Sequence, residues 1–195
     1  MTLLEIVVNG RGGQGAVTAA QIIAEAAMLS GNFQDVSSFP AFGTERRGAP
    51  VQAYTRLAAG EKIFTRAMIT SPDIIIVLDR TIFSKEQVNQ LKPNGIIIIN
   101  SSKSPEEIVE QYKITQKCSI ATADVSKICF QHNILIDNLP ILNTPILGVL
   151  SKVLKEIPLK VMKEAIIQHI NSDKGRLNAL AADYSAAVTK VTMIS

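Results

Sequence analysis

The apolar positions of this chain fall into short runs and helical stripes that alternate along its length. Residues 74–78 read Ile-Ile-Ile-Val-Leu and residues 96–99 read Ile-Ile-Ile-Ile, closed by Asp73 and Asp79 in the first case and by Gly95 and Asn100 in the second. Runs this short, rich in β-branched residues and apolar at every position, predict central parallel strands buried on both faces. Residues 4–8 predict a third strand, and the alternation over 51–57 predicts a half-buried one, with Gly60 turning the chain toward a hairpin partner at 62–65. Weaker strand or loop patterns occupy 36–39, stopped by Pro40, and 119–123 and 134–139.

Helical patterns lie between them. One runs from about 15 to 29 and stops at Gly31, a residue suited to the left-handed position after a helix. A second covers 83–91, and a third starts after Ser104, with Pro105 at the first helical position and Glu107 placed to close a capping box. The last third of the chain reads as helices over 145–156, 158–170 and 176–190. Strand and helix in alternation predict an α/β fold: a single Rossmann-like domain over 1–195, its sheet mainly parallel with helices on both faces, and a helical C-terminal part from about 143.

With 195 residues, 47% of them hydrophobic and 19% charged, the chain suffices for one good core. Its net charge of +3 is small and scattered, which gives no footprint for nucleic acid. No uncharged run approaches the roughly 20 residues that span a bilayer, and the glycines at 10–15 interrupt the early apolar run, so a cytoplasmic protein with no membrane partner is expected. Cys118 and Cys129 form no Cys-x-x-Cys pair, and neither has a histidine at ligand spacing. Clusters and structural zinc need about four ligands, so the two cysteines read as buried thiols and no metal is expected on this chain. His132 and His169 read as structural or surface residues.

The first strand feeds its helix through Gly10-Arg11-Gly12-Gly13-Gln14-Gly15, which fits G-x-G-x-x-G. Such a turn gathers backbone N–H groups and the positive end of a helix dipole, which suits a phosphate or a carboxylate. A nucleoside triphosphatase loop would need Lys and Ser or Thr where Ala16 and Val17 stand. A dinucleotide site wants an acidic residue at the end of the second strand, and Asp35, at about the right distance, precedes that strand. Glycines that merely permit a tight turn remain an alternative.

A second loop bears on the choice. The stretch Phe-Pro-Ala-Phe-Gly-Thr-Glu-Arg-Arg-Gly-Ala-Pro, residues 39–50, places Glu45, Arg46 and Arg47 where a loop after the second strand would meet the glycine loop on one carboxyl edge of the sheet. Guanidinium groups there would suit a phosphate, a carboxylate or an acidic patch on a partner, or a salt bridge within the loop.

Together the two stretches closely resemble the gamma subunits of 2-oxoacid:ferredoxin oxidoreductases. The form of the second is like the pyruvate branch, since Ala49-Pro50 departs from the Gly-Gly of the 2-oxoglutarate branch, and residues 142–153 are similar to the family's Asn-Thr-x-x-Leu-Gly segment. The likeness spans nearly the whole chain and fades after about Ile170. It implies a subunit of an enzyme that decarboxylates pyruvate, reduces ferredoxin and passes the acyl group to coenzyme A. Thiamine diphosphate, Mg²⁺ and 4Fe–4S clusters would sit on alpha-, beta- and delta-type partners; this chain has no Gly-Asp-Gly and would carry no catalytic residue. Gly10, Arg11, Gly12, Gly13, Gln14, Gly15, Glu45, Arg46 and Arg47 are the matching candidates for coenzyme A or subunit contact. A different 2-oxoacid (2-oxoglutarate, a branched-chain 2-oxoacid or indolepyruvate) and a stand-alone NAD-dependent oxidoreductase are the alternatives.

Overall fold

A computed structural model describes residues 3–41, 48–60 and 62–195. In chain order the elements are β1 (Leu3–Arg11), α1 (Ala16–Ser30), β2 (Asp35–Pro40), β3 (Pro50–Ala58) and β4 (Ile74–Val77). A 3-10 turn (Arg80–Ile82), α2 (Lys85–Gln90), β5 (Ile96–Asn100), α3 (Pro105–Tyr112), β6 (Cys118–Ala123) and α4 (Val125–Gln131) follow. The chain ends with β7 (Leu135–Ile136), β8 (Leu139–Pro140), α5 (Ile146–Val153), α6 (Leu159–Ile170), α7 (Asp173–Val188) and β9 (Lys190–Ile194).

The two isoleucine runs lie side by side at the centre of a seven-stranded sheet of order β2-β3-β1-β4-β5-β6-β9. Ile74 pairs with Ile96 and Val77 with Ile99 in parallel register. β1, β4, β5 and β6 are mutually parallel, and β2 shares their direction because β3 is antiparallel to both β1 and β2; β9 is antiparallel to β6. The alternate residues of each central strand feed separate cores. Ile74, Ile76 and Ile98 face α1, α4, α5, α6 and α7, whereas Ile75, Val77, Ile97 and Ile99 face α2 and α3. Burial on both faces is why these strands read as unbroken apolar runs.

Three expectations change. Residues 62–65 form no hairpin strand, because β3 already has β1 on one side and β2 on the other; the amide of Ile63 instead donates to Asp35 Oδ2 at 2.7 Å. The helix expected over 176–190 begins at Asp173 and stops at Val188, and the chain then turns back as β9 to cover β6. Residues 134–139 hold a small hairpin of β7 and β8, turned by Asp137 and Asn138 at φ 50° and 60°. The capping box at Ser104 forms as expected: Glu107 N donates to Ser104 Oγ at 3.3 Å, and Ser104 N donates to the Glu107 carboxylate at 2.7 Å.

Helix packing on the larger face depends on small residues. Gly148 of α5 lies so close to α7 that an added Cβ would strike the backbone of Ala182. Overpacking of this kind costs about 1–3 kcal/mol. Gly148→Ala should therefore lower the melting temperature, by roughly 3–10 °C for a chain of this size. An unchanged melting curve would show that α5 and α7 separate easily.

Candidate functional site

β1 ends in the glycine loop because Gly13 and Gly15 take φ of 94° and 80°, a left-handed region closed to most side chains. Gln14 closes the turn: its Oε1 accepts from Arg11 N at 2.7 Å, and its own amide donates to Arg11 O at 2.9 Å. The guanidinium of Arg11 is engaged within the chain through all three nitrogens. Nε donates to Asp79 Oδ2 at 2.9 Å, Nη1 to Gly48 O at 3.0 Å and Nη2 to Thr81 Oγ1 at 2.8 Å. Arg11 thus joins the loop to the segment after β4 and to the loop between β2 and β3.

Burial pushes the Asp79 carboxyl up, but hydrogen bonds from the Thr81 hydroxyl and amide, with Arg11 beside it, outweigh this and hold it below its ordinary value of 3.8. The end of the second loop, at Gly48 and Ala49, is also fixed by backbone. Gly12 N donates to Ala49 O at 2.8 Å and Gly48 N to Gly12 O at 3.1 Å, so the two loops meet on one edge of the sheet. Glu45, Arg46 and Arg47 lie outside the described residues.

A cleft of about 570 Å³ opens beside this junction. One wall is the glycine loop with Gly48 and Thr18; the other is Ile136, Leu139 and Pro140 of the β7–β8 hairpin with residues 141–143. The N-terminus of α1 has no side-chain cap and no acidic residue in its first turn, so the first-turn amides of Ala16, Val17 and Thr18 lack acceptors within the helix. Asn143 packs directly on the loop: a Cβ on Gly15 would come within 2.5 Å of its Nδ2. The next residue, Thr144, donates its hydroxyl to Asn178 of α7, whose Nδ2 donates to Lys174 O at 2.8 Å. Asp79, Thr81, Asn143 and the hairpin were not among the sequence candidates. The resemblance at 142–153 touched Asn143; nothing local in the sequence marks the others.

The insertion of β3 bears on the dinucleotide alternative. The strand beside β1 on that side is antiparallel, and Asp35 opens β2 opposite Ala58, at the far end of the strand from the glycine loop. Its carboxylate receives the Ile63 amide, so it is not placed to meet a ribose on the loop. The histidines are engaged elsewhere: His132 stacks on Tyr184 with ring centroids 4.2 Å apart, and His169 Nδ1 lies 2.9 Å from the Glu25 carboxylate. The cysteines belong to cores on opposite faces of the sheet, and burial pushes the Cys129 thiol up to about 12 and also raises Cys118.

Asp79→Asn should loosen the glycine loop. Losing a charge-assisted pair with Arg11 removes about 1–2 kcal/mol, read as a melting temperature lower by roughly 3–6 °C at pH 7. A carboxyl held below 3.8 stabilises fully above that pH and loses its contribution as pH falls through its folded value. The gap between wild type and variant should therefore close in acid, and a gap independent of pH would refute the assignment.

Comparison with known proteins agrees with this architecture. A family model described as pyruvate ferredoxin/flavodoxin oxidoreductase matches residues 5–188. A protein of Pyrococcus furiosus named pyruvate/ketoisovalerate oxidoreductases common subunit gamma is 41% identical over 190 residues, covering 97% of this chain and 98% of its own. The pyruvate synthase subunit PorC of Methanosarcina barkeri is 40% identical over 163 residues, 83% of this chain and 84% of its own. The crystal structure of pyruvate oxidoreductase subunit PORC from Thermotoga maritima superposes with a TM-score of 0.80 at 29% identity, covering 98% of this chain and 99% of that one. With matches that run from β1 to α7 and beyond, this chain belongs to the pyruvate ferredoxin/flavodoxin oxidoreductase family.

Proposed function

We propose that this chain is the gamma subunit of a cytoplasmic pyruvate:ferredoxin oxidoreductase. In that complex alpha-, beta- and delta-type chains hold thiamine diphosphate with Mg²⁺ and the 4Fe–4S clusters, and coenzyme A receives the acyl group as ferredoxin is reduced. The observation that carries the reading is the end-to-end match, at 41% identity, to a protein named as a common gamma subunit. That name also favours a second reading, in which the same chain serves an oxidoreductase for ketoisovalerate, a branched-chain 2-oxoacid. Among the described residues no helix is long and apolar enough to cross a membrane.

Within the complex the cleft is the place for an anion on the glycine loop. Its features fit coenzyme A: backbone amides and a helix dipole for a phosphate, the Asn143 amide beside them, and an apolar wall at Ile136 and Leu139 for the uncharged part of the molecule. Coenzyme A supplies the thiol that accepts the acyl group, and the residues of this chain bind and orient it. Gly10, Gly12, Gly13, Gln14 and Gly15 shape the amide cradle, and Arg11 holds it in place through Asp79. Gly48 lines the cleft, and Glu45, Arg46 and Arg47 come just before it in sequence; their role in this reading is to contact either coenzyme A or a carboxylate of a neighbouring subunit.

Arg46→Ala and Arg47→Ala, each built into the reconstituted complex, separate these roles. If one guanidinium grips coenzyme A, the complex assembles normally and its KM for coenzyme A rises, on the order of 10- to 150-fold for one lost charge-assisted hydrogen bond. If it pairs with a neighbouring subunit, complex yield falls and the KM is unchanged. We expect the assembly outcome for at least one of the two. Normal yield and normal KM for both variants would remove this loop from the site.

A further inference from the structure

Three segments meet at the carboxyl edge of the sheet beyond β5 and β6. Ser101 N donates to Ala123 O at 2.9 Å, which sets the loop after β5 beside the turn from β6 into α4. On the other side of β6, Thr122 is the register partner of Lys190, where the chain leaves α7 and enters β9. Between these segments lies a pocket of about 250 Å³ that shares no lining residue with the cleft at the glycine loop. Pockets that enclose a drug-sized ligand run to roughly 300–1,000 Å³, so this one has the size for a small ion.

Lys103, Lys127 and Lys190 line it, each from a different segment, and Asp124 is the only carboxylate among the described residues that do so. Lys103 Nζ gives one donor to Gln111 Oε1 at 2.9 Å and keeps two. Lys190 lies near Glu106, a residue outside the lining whose carboxylate accepts the Thr192 hydroxyl. Thr122 is 2% exposed and lines the pocket, on the same face of the sheet as Lys190, and its hydroxyl has no hydrogen bond among the described residues. A buried polar group without a partner is uncommon, and a ligand oxygen in the pocket would supply one.

The residue types choose among anions. A planar carboxylate is best met by the flat fork of an arginine, and no arginine is among the described lining residues; ammonium groups from three segments with a hydroxyl suit a tetrahedral oxyanion. Asp124 narrows the choice further. Its Oδ1 caps α4 by accepting from Lys127 N at 2.9 Å, and its Oδ2 has no partner among the described residues. A carboxylate only accepts, so it favours an anion that brings a proton and repels one that does not. Sulfate brings none at neutral pH, and a phosphate monoester, with a second pKa of about 6, has mostly lost its last one. Hydrogen phosphate keeps one. We propose that this pocket binds free orthophosphate, with the lysines and Thr122 on its oxygens and Asp124 Oδ2 accepting its remaining proton. The site goes beyond the gamma-subunit reading and does not depend on it.

Calorimetric titration of the full chain at pH 7 and fixed ionic strength tests it with three probes: inorganic phosphate, sulfate and glycerol phosphate. Phosphate should bind, and sulfate and the ester should bind roughly tenfold more weakly, as expected for one hydrogen bond lost at a charged acceptor. Lys127→Ala and Thr122→Val should each weaken phosphate binding, whereas Lys152→Ala, at a position that lines neither pocket, should not. Asp124→Asn keeps the cap, since Asn caps a helix as well as Asp does, yet should bring sulfate level with phosphate. No binding of phosphate by the unaltered chain, or no loss in the two lining variants, would overturn the site. Equal affinity for phosphate and sulfate in the unaltered chain, or tighter binding of glycerol phosphate, would overturn free orthophosphate as its ligand.

Discussion

The ion pair of Arg11 with Asp79 holds together the edge of the sheet on which the cleft depends. Arg11 closes β1 and Asp79 follows β4, so the pair spans two parallel strands at the point where both release their loops. Through the same guanidinium, Gly48 is drawn in from the loop ahead of β3. The turn through Gly13 and Gly15 would otherwise be free to open, since glycines permit many conformations and select none. Selection comes from the contacts around the glycines: from Gln14 within the turn, from Arg11 on one side and from Asn143, packed on Gly15, on the other. The amides that face the cleft are thereby oriented before any ligand arrives.

Much of the fold was legible in the sequence because its strongest signals report one-dimensional facts. Burial on two faces writes itself as consecutive isoleucines, and a helix start as Ser104-Pro105 with Glu107. What the sequence did not reveal is pairing. The alternation of 51–57 marked a strand but suggested one buried on one face only; residues 53–58 are buried throughout, because the strand slips between β1 and β2 and runs against both. The expected helix was carried on to Lys190, since no glycine or proline separates Val188 from Lys190, and residues 191–194 were given no strand. The helix ends at Val188 because the open side of β6 offers backbone partners.

The candidate site divides in the same way. The glycine loop and its meeting with the following loop follow from local chemistry and from the rule that both emerge on the carboxyl edge. Arg11, a candidate for anion or subunit contact, is also a brace, a role set by Asp79 and Thr81 some 70 positions away. Asn143 and the β7–β8 hairpin join the cleft from the C-terminal half, at a separation that no spacing rule covers.

The placement of the two cysteines has a consequence for the lifetime of the chain. They lie in cores divided by the sheet, so they cannot reach the short Cα separation that a disulfide requires. Burial pushes the Cys129 thiol up to about 12, which keeps it protonated at neutral pH, and thiolate is the form that oxidants attack. Oxidants that act through the thiolate therefore find no ready target in either cysteine.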